Sequence, residues 1–265
     1  AVIGGGLLGL EAARGLLNLG MDVSVVHLES SLMERQLDLT AGKLLQKELE
    51  GQGMKFLLEK QTECIIGDDR VRGLRFKDGS TLEADIVVMA VGIRPNIELA
   101  KESGIEVNRG IVVNDFMQTS IPHIYSVGEC AEHNGIPYGL VAPLYEQGKV
   151  LAKHICGQET APYKGSVLST QLKVSGVEVF SAGDFIEDEE KKALKIFDEQ
   201  DGVYKKIVFK GNTIVGAVLF GDTQEGNRLF SMIKKQADIS DTAKISILQP
   251  IGGQETGESL VASMA

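Results

Sequence analysis

No apolar run in the 265 residues approaches the ~18–20 needed to cross a bilayer, and no basic segment leads into an apolar core at the start. Membrane insertion is therefore not expected, and a cytoplasmic setting is. Basic charge is also scarce: 27 Lys and Arg stand against 37 Asp and Glu, a net charge of −10, with no basic cluster. Phosphate backbones are held chiefly by clustered Lys and Arg, so nucleic acid is not expected as a partner. The three cysteines, Cys64, Cys130 and Cys156, are odd in number and form no C-x-x-C. That excludes a thioredoxin-type pair within the chain and offers no zinc site; free, buried thiols are the expectation. His27, His123, His133 and His154 fall at no ligand spacing either, so no metal is expected. With six prolines, 43% apolar and 24% charged residues, the chain reads as globular and long enough for two domains.

What is present begins at the first residue. Ala1-Val2-Ile3 is an apolar run too short for a whole strand. It enters Gly4-Gly5-Gly6-Leu7-Leu8-Gly9, a G-x-G-x-x-G, and then a stretch with helical spacing of Leu and Ala. Strand, tight turn and helix in that order form a place where backbone N–H groups and the positive end of a helix can meet a dinucleotide pyrophosphate. Gly4, Gly5, Gly6, Leu7, Leu8 and Gly9 are the candidate contacts. Glu11, in the expected first turn of a helix over Leu10 to Leu19, is either a dipole partner or a further contact. A natural chain rarely starts two residues before such a turn without Met, so a fragment is expected.

Asp22 to Leu28 reads as the next strand of a βαβ unit. About 20 residues past the glycines, an acidic side chain would take the adenosine ribose hydroxyls. The register offers His27 and Glu29, with Arg35 nearby as a residue that could change the preferred phosphate state. Thr40 to Gly51 has the pattern of a surface helix, and Met54 to Leu58 that of a strand. Between Thr62 and Glu83 the period becomes two, with an Asp78-Gly79 turn, as in a small antiparallel insert. Asp85 to Ala90 reads as a buried central strand. At its end, Gly92 lets the backbone pass close to a ligand and Pro95 stops the strand. Ala90, Val91, Gly92 and Ile93 stand together at this strand end.

Ile111 to Asn114 and Ile124 to Val127 are two further expected strands. The second would run into Gly128-Glu129, whose carboxylate could accept hydrogen bonds from a ribose or ribityl chain. Leu144 to Cys156 reads as a helix. Beyond Tyr163 come short strands over 167–174, 177–183, 205–209 and 213–220, and a helix over 229–237. The charged span 187–192 reads as a solvated face. The tail 250–265 is linker-like.

Three separated segments together resemble the pyridine nucleotide-disulphide oxidoreductases, the glutathione-reductase-like flavin reductases that hold two dinucleotides. The opening glycine turn is similar to that family's second motif, which takes NAD(P)H. Ala90 to Asn96 looks like the exit from the NAD domain. Thr119-Ser120 through Glu129 resembles the closing FAD motif, with Glu129 where Asp is usual. Within the family, Met33 to Asp38 and Leu168 to Gly183 are similar to the large subunits of NAD(P)H nitrite reductases and related electron-transfer subunits.

The resemblance implies an α/β fold: a Rossmann-like NAD(P)-binding domain (1–92), a partial FAD-binding domain (93–158), a small α+β C-terminal domain (159–241) and a linker-like tail (242–265). It implies NAD(P)H at the opening glycines, with Ala90, Val91, Gly92 and Ile93 at its nicotinamide half, and FAD at Gly128 and Glu129, the FAD site being incomplete here and the fragment by itself inactive. Iron–sulphur and sirohaem centres would lie outside this segment, in downstream redox domains or a partner subunit, and a homodimer is compatible. No general acid or base is assigned. Ferredoxin, rubredoxin or NADH oxidase type reductases, and a non-enzymatic nucleotide-binding or docking module, share these motifs and stay open.

Overall fold

The computed structural model describes residues 1–174 and 176–239; the linker-like tail expected over 242–265 lies outside them. The described chain divides into two compact units. One holds Ala1–Gly92 and the described residues from Ser169 onward, and the other holds Ile93–Leu168.

The first unit opens with β1 (Val2–Ile3), α1 (Leu7–Asn18), β2 (Ser24–Val26), α2 (Leu39–Gly51), β3 (Lys55–Leu57), β4 (Thr62–Gly67), β5 (Val71–Phe76), β6 (Thr81–Glu83) and β7 (Val88–Met89). β1, β2, β3 and β7 form a parallel sheet in the order β3-β2-β1-β7, with Val2 opposite Val25 and Val88. Parallel neighbours require crossovers, and α1 and α2 supply the first two. α1 buries Gly9, Leu10 and Ala13, and α2 buries Ala41, Gly42, Leu45 and Leu49. Each fully buried leucine contributes roughly 1.5–3 kcal/mol by leaving water. α2 starts at Asp38, whose side chain accepts from the Ala41 N–H at 3.0 Å, an N-cap of the ordinary kind.

β4, β5 and β6 form the expected antiparallel insert. It turns at Asp78-Gly79, where Gly79 has φ +83 and the Asp78 carboxylate takes the Ser80 N–H at 3.0 Å. The expected buried central strand over 85–90 is corrected in two respects. Only Val88–Met89 pairs, and it lies at the sheet edge, with Ile86 and Met89 exposed, because no strand of the described residues adds outside it.

In the second unit α3 (Glu98–Glu102), β8 (Ile111–Val113), β9 (Ala131–His133), β10 (Ile136–Pro137) and α4 (Val141–Ile155) follow one another. The expected strand over 124–127 is absent; Tyr125 makes a single bridge to Gln118. The strand that pairs with β8 is β9, which the sequence reading passed over, so Gly128-Glu129 precedes a strand instead of ending one. β9 turns into β10 through Asn134-Gly135, both at positive φ, a two-residue turn whose twist suits a hairpin.

The chain then returns to the first unit with β11 (Ser169–Val174), β12 (Val177–Gly183), β13 (Lys191–Asp198), β14 (Val203–Lys210), β15 (Thr213–Phe220) and α5 (Gly226–Lys234). The strands form one antiparallel sheet, β11-β12-β15-β14-β13. α5 lies close to it at Gly226, where a Cβ would come 2.7 Å from the Phe180 ring. Val177, Val179, Tyr204, Val218 and Phe220 of this sheet join the core made by Val2, Leu10, Leu45 and Leu49, so both segments of the unit share one apolar interior. The cysteines are free but not buried: Cys64 and Cys130 are partly exposed and Cys156 is exposed. Among the described residues no helix is long and apolar enough to cross a membrane.

Candidate functional site

The carboxyl ends of β1, β2, β3 and β7 converge on a cleft of about 650 Å³ in the first unit. In a parallel sheet all carboxyl ends lie on one side, which gathers the following loops into a crevice. The cleft is lined by Ile3 to Leu8 after β1, Val26 to Glu29 after β2, Glu34 to Gln36, Lys60 to Ile65, and Met89 to Gly92 after β7.

The glycines serve three distinct purposes. Gly4 has φ +118, and a Cβ there would lie 2.2 Å from the Ala90 carbonyl oxygen. A Cβ on Gly9 would lie 1.9 Å from the Gly4 carbonyl oxygen, so Gly9 lets α1 approach its own turn. Gly6 is different. Its φ is −82, which any residue adopts, and a Cβ would meet nothing within 4 Å. Space is kept open there without a packing reason. Gly6 is also the N-cap of α1 and offers no side-chain hydrogen bond, while Leu10 is the first residue to bond back, to the Gly6 carbonyl. The N–H groups of Leu7, Leu8 and Gly9 have no helical acceptor. An open, uncapped helix start facing a cleft fits a pyrophosphate.

His27 follows β2 and is buried, 9% exposed. Its Nδ1 accepts from the Gly5 N–H at 3.1 Å and its Nε2 lies 3.1 Å from Glu34 Oε2. Both ring nitrogens of this ribose candidate are engaged with the protein, and the residue also lines the cleft. Glu29 and Arg35 are exposed and line the same cleft. Glu11 is corrected. α1 begins at Leu7, which puts Glu11 beyond the first turn, on an exposed position outside the cleft. Ala90, Val91 and Gly92 line the cleft, whereas Ile93 belongs to the second unit.

Glu34, Lys60 and Cys64 are among the lining residues that the sequence did not mark as candidate contacts. Lys60 lies shortly beyond the carboxyl end of β3, the position rule that picked out His27, so the signal was available. Its ammonium pairs with Asp78, hydrogen bonds Ser80 at 3.1 Å and sits 5.5 Å from the centre of the Phe76 ring. The hydrogen bond from Lys60 holds the Asp78 carboxyl well below the usual carboxylate range. Glu63 on the lip accepts from Arg75 at 2.9 Å, which raises the guanidinium further above its ordinary value.

The second unit places the other two candidates. Gly128 has φ +107 with open space around it, and Glu129 is exposed. The buried carboxylate of this region is Glu132, 3% exposed, which accepts from the Gly110 N–H at 2.7 Å and from Asn108 at 2.9 Å. It ties β9 to the segment that leads into β8. Tyr163, 5% exposed, is bonded to Ser166 at 2.6 Å, and burial pushes its phenol up to about 12.

The model of the pyridine nucleotide-disulphide oxidoreductase family matches residues 1–152, more than half of the chain. The chain belongs to that family. Residues 169–237 match a second family model, the rubredoxin NAD+ reductase C-terminal domain. The whole chain is 79% identical over 265 residues to a nitrite reductase [NAD(P)H] of Bacillus subtilis, covering 33% of it. It is 58% identical over 264 residues to an assimilatory nitrate reductase electron transfer subunit of the same organism, covering 34% of that protein. Among solved structures, NADH:rubredoxin oxidoreductase from Clostridium acetobutylicum aligns with a TM-score of 0.71 at 30% identity, covering 93% of this chain and 61% of that one. The chain spans about a third of the length of the curated relatives it matches first.

Proposed function

We propose that this chain is the nucleotide-binding reductase part of a longer flavoprotein that reduces nitrite at the expense of NAD(P)H. The observation that carries the reading is the Gly6 position, an unfilled cradle at an uncapped helix start inside the cleft. When bound, NAD(P)H and FAD would supply the redox chemistry, a hydride from the nucleotide and single electrons from the flavin for iron–sulphur and sirohaem centres outside this segment. The residues here bind and orient. The N–H groups from Gly6 to Gly9 hold the pyrophosphate, Glu29 takes the adenosine ribose, and Ala90 to Gly92 flank the nicotinamide half. Gly128 and Glu129 contribute a part of the FAD site, with Gly128 leaving room that a side chain would fill. No residue is assigned a proton-transfer role; positioning is the protein's task at this stage. The same reading places the protein in the cytoplasm, where NAD(P)H is generated.

Replacing Gly6 tests this directly. Gly6→Ala should cost no more than about 1 kcal/mol in urea unfolding, the penalty for alanine at an N-cap, and weaken NADH binding by about tenfold or more, since a methyl group would fill the open space at the helix start. Unchanged affinity sinks the reading. The terminal acceptor is tested in the full-length enzyme by NADH-dependent reduction of nitrite. The match of residues 169–237 to a rubredoxin reductase domain favours one rival, a small iron–sulphur protein as acceptor. Faster turnover with rubredoxin than with nitrite would select it.

A further inference from the structure

Gly5, at the centre of the turn, is gripped on both sides. Its N–H donates to His27 Nδ1 at 3.1 Å, and its carbonyl accepts from the Met33 N–H at 3.1 Å. A Cβ on Gly5 would lie 2.8 Å from both His27 Cγ and Leu32 Cδ2, so the turn rests directly on this segment. A backbone N–H can only donate, which makes Nδ1 the acceptor and puts the imidazole proton on Nε2. That proton points at Glu34 Oε2, 3.1 Å away on the cleft wall. Withdrawing the Gly5 N–H into this bond leaves the next N–H groups, from Gly6 onward, as the ones that face the cleft.

We infer that His27 is a positioning residue for the nucleotide phosphates: held in its Nε2-protonated form by Glu34, it anchors Gly5 and so fixes the direction of the N–H groups that follow. The inference rests on the nucleotide reading of the cleft and adds to it a residue that acts through Gly5.

Asparagine and glutamine separate the two halves of the relay, because the Asn amide reaches about where Nδ1 sits and the Gln amide about where Nε2 sits. NADH is titrated calorimetrically into the 265-residue chain and its variants, with urea midpoints measured alongside. His27→Asn, which keeps an acceptor for Gly5, should bind within about threefold of the parent chain. His27→Gln should bind about tenfold more weakly or worse. Glu34→Gln retains an acceptor for Nε2–H and should bind within about twofold, whereas the exposed-site variant Glu34→Ala should lose about threefold or more without loss of fold. Equal affinities for His27→Asn and His27→Gln, or for Glu34→Gln and Glu34→Ala, overturn the relay while leaving the nucleotide site standing. A parent chain that binds no NADH overturns the site reading and this inference together.

Discussion

Tyr204 and Asp38 are 166 residues apart in sequence and joined by a 2.8 Å hydrogen bond from the phenol to Oδ2. The other oxygen of the same carboxylate caps α2 at the Ala41 N–H. Lys206, 5% exposed at its side chain, lies 3.2 Å from Asp38 Oδ2 and 3.2 Å from Glu187. One side chain thus starts a helix of the nucleotide half and anchors the C-terminal sheet. Burial, followed by the Asp38 charge, holds the Tyr204 phenol far above its ordinary value, so it stays a donor.

The two partners should differ in cost. Tyr204→Phe removes one hydrogen bond and should destabilise by about 1 kcal/mol. Asp38→Ala removes the cap as well and leaves the buried Lys206 with Glu187 alone, so about 3 kcal/mol or more is expected. Urea unfolding of both variants measures this, and equal costs would show that the carboxylate is not shared as described.

The glycines of α1 divide by what surrounds them. Gly9→Ala forces its Cβ against the Gly4 carbonyl and should cost about 1–3 kcal/mol or more, the range for overpacking. Gly15, exposed in the same helix with nothing within 4 Å of a Cβ, should behave oppositely. Gly15→Ala is expected to stabilise by about 0.5–1 kcal/mol through helix propensity. Thermal melts of the two variants should move in opposite directions.

Lys205, 7% exposed at its side chain, donates to Asp222 at 2.6 Å, and this bond holds the Asp222 carboxyl below its ordinary value. The pair's contribution is therefore complete above the unfolded-state value of about 3.9 and disappears as pH falls through the lower folded value. Asp222→Asn should be less stable by about 1–3 kcal/mol at neutral pH, with the gap to the parent chain closing in acid. A gap that stays constant from pH 7 to about pH 2 would contradict the assignment.

Cys64 lines the nucleotide cleft and is partly exposed, whereas Cys156 lies on the other unit's surface. Saturating NADH should slow alkylation of Cys64 and leave Cys156 unaffected, as read by peptide mapping. Equal labelling of Cys64 with and without NADH would remove the nucleotide from this cleft.

Much of the fold was legible because it depends on what each residue does to its own backbone. The glycine turn, the Asp78-Gly79 hairpin and helices over Leu10 to Leu19 and Thr40 to Gly51 announce themselves through turn chemistry and apolar period, although α1 starts earlier, at Leu7. The Asn134-Gly135 hairpin carried an equally strong signal that went unread. Other errors had a physical source. An apolar run such as 85–90 has the same pattern at the edge of a sheet as at its centre, and burial depends on what the rest of the chain places beside it.

Chain-local chemistry was thus enough to specify a strand, a glycine turn, a helix start and the class of ligand they suit. It could not tell that Gly6 is open while Gly9 is crowded, since those two glycines differ only in what the folded chain brings near them. Nor could it tell that His27 serves Gly5 and Glu34, or that Asp38 meets Tyr204. A side chain's partners across 22 or 166 residues are set by packing, and packing exists only once the chain has closed on itself.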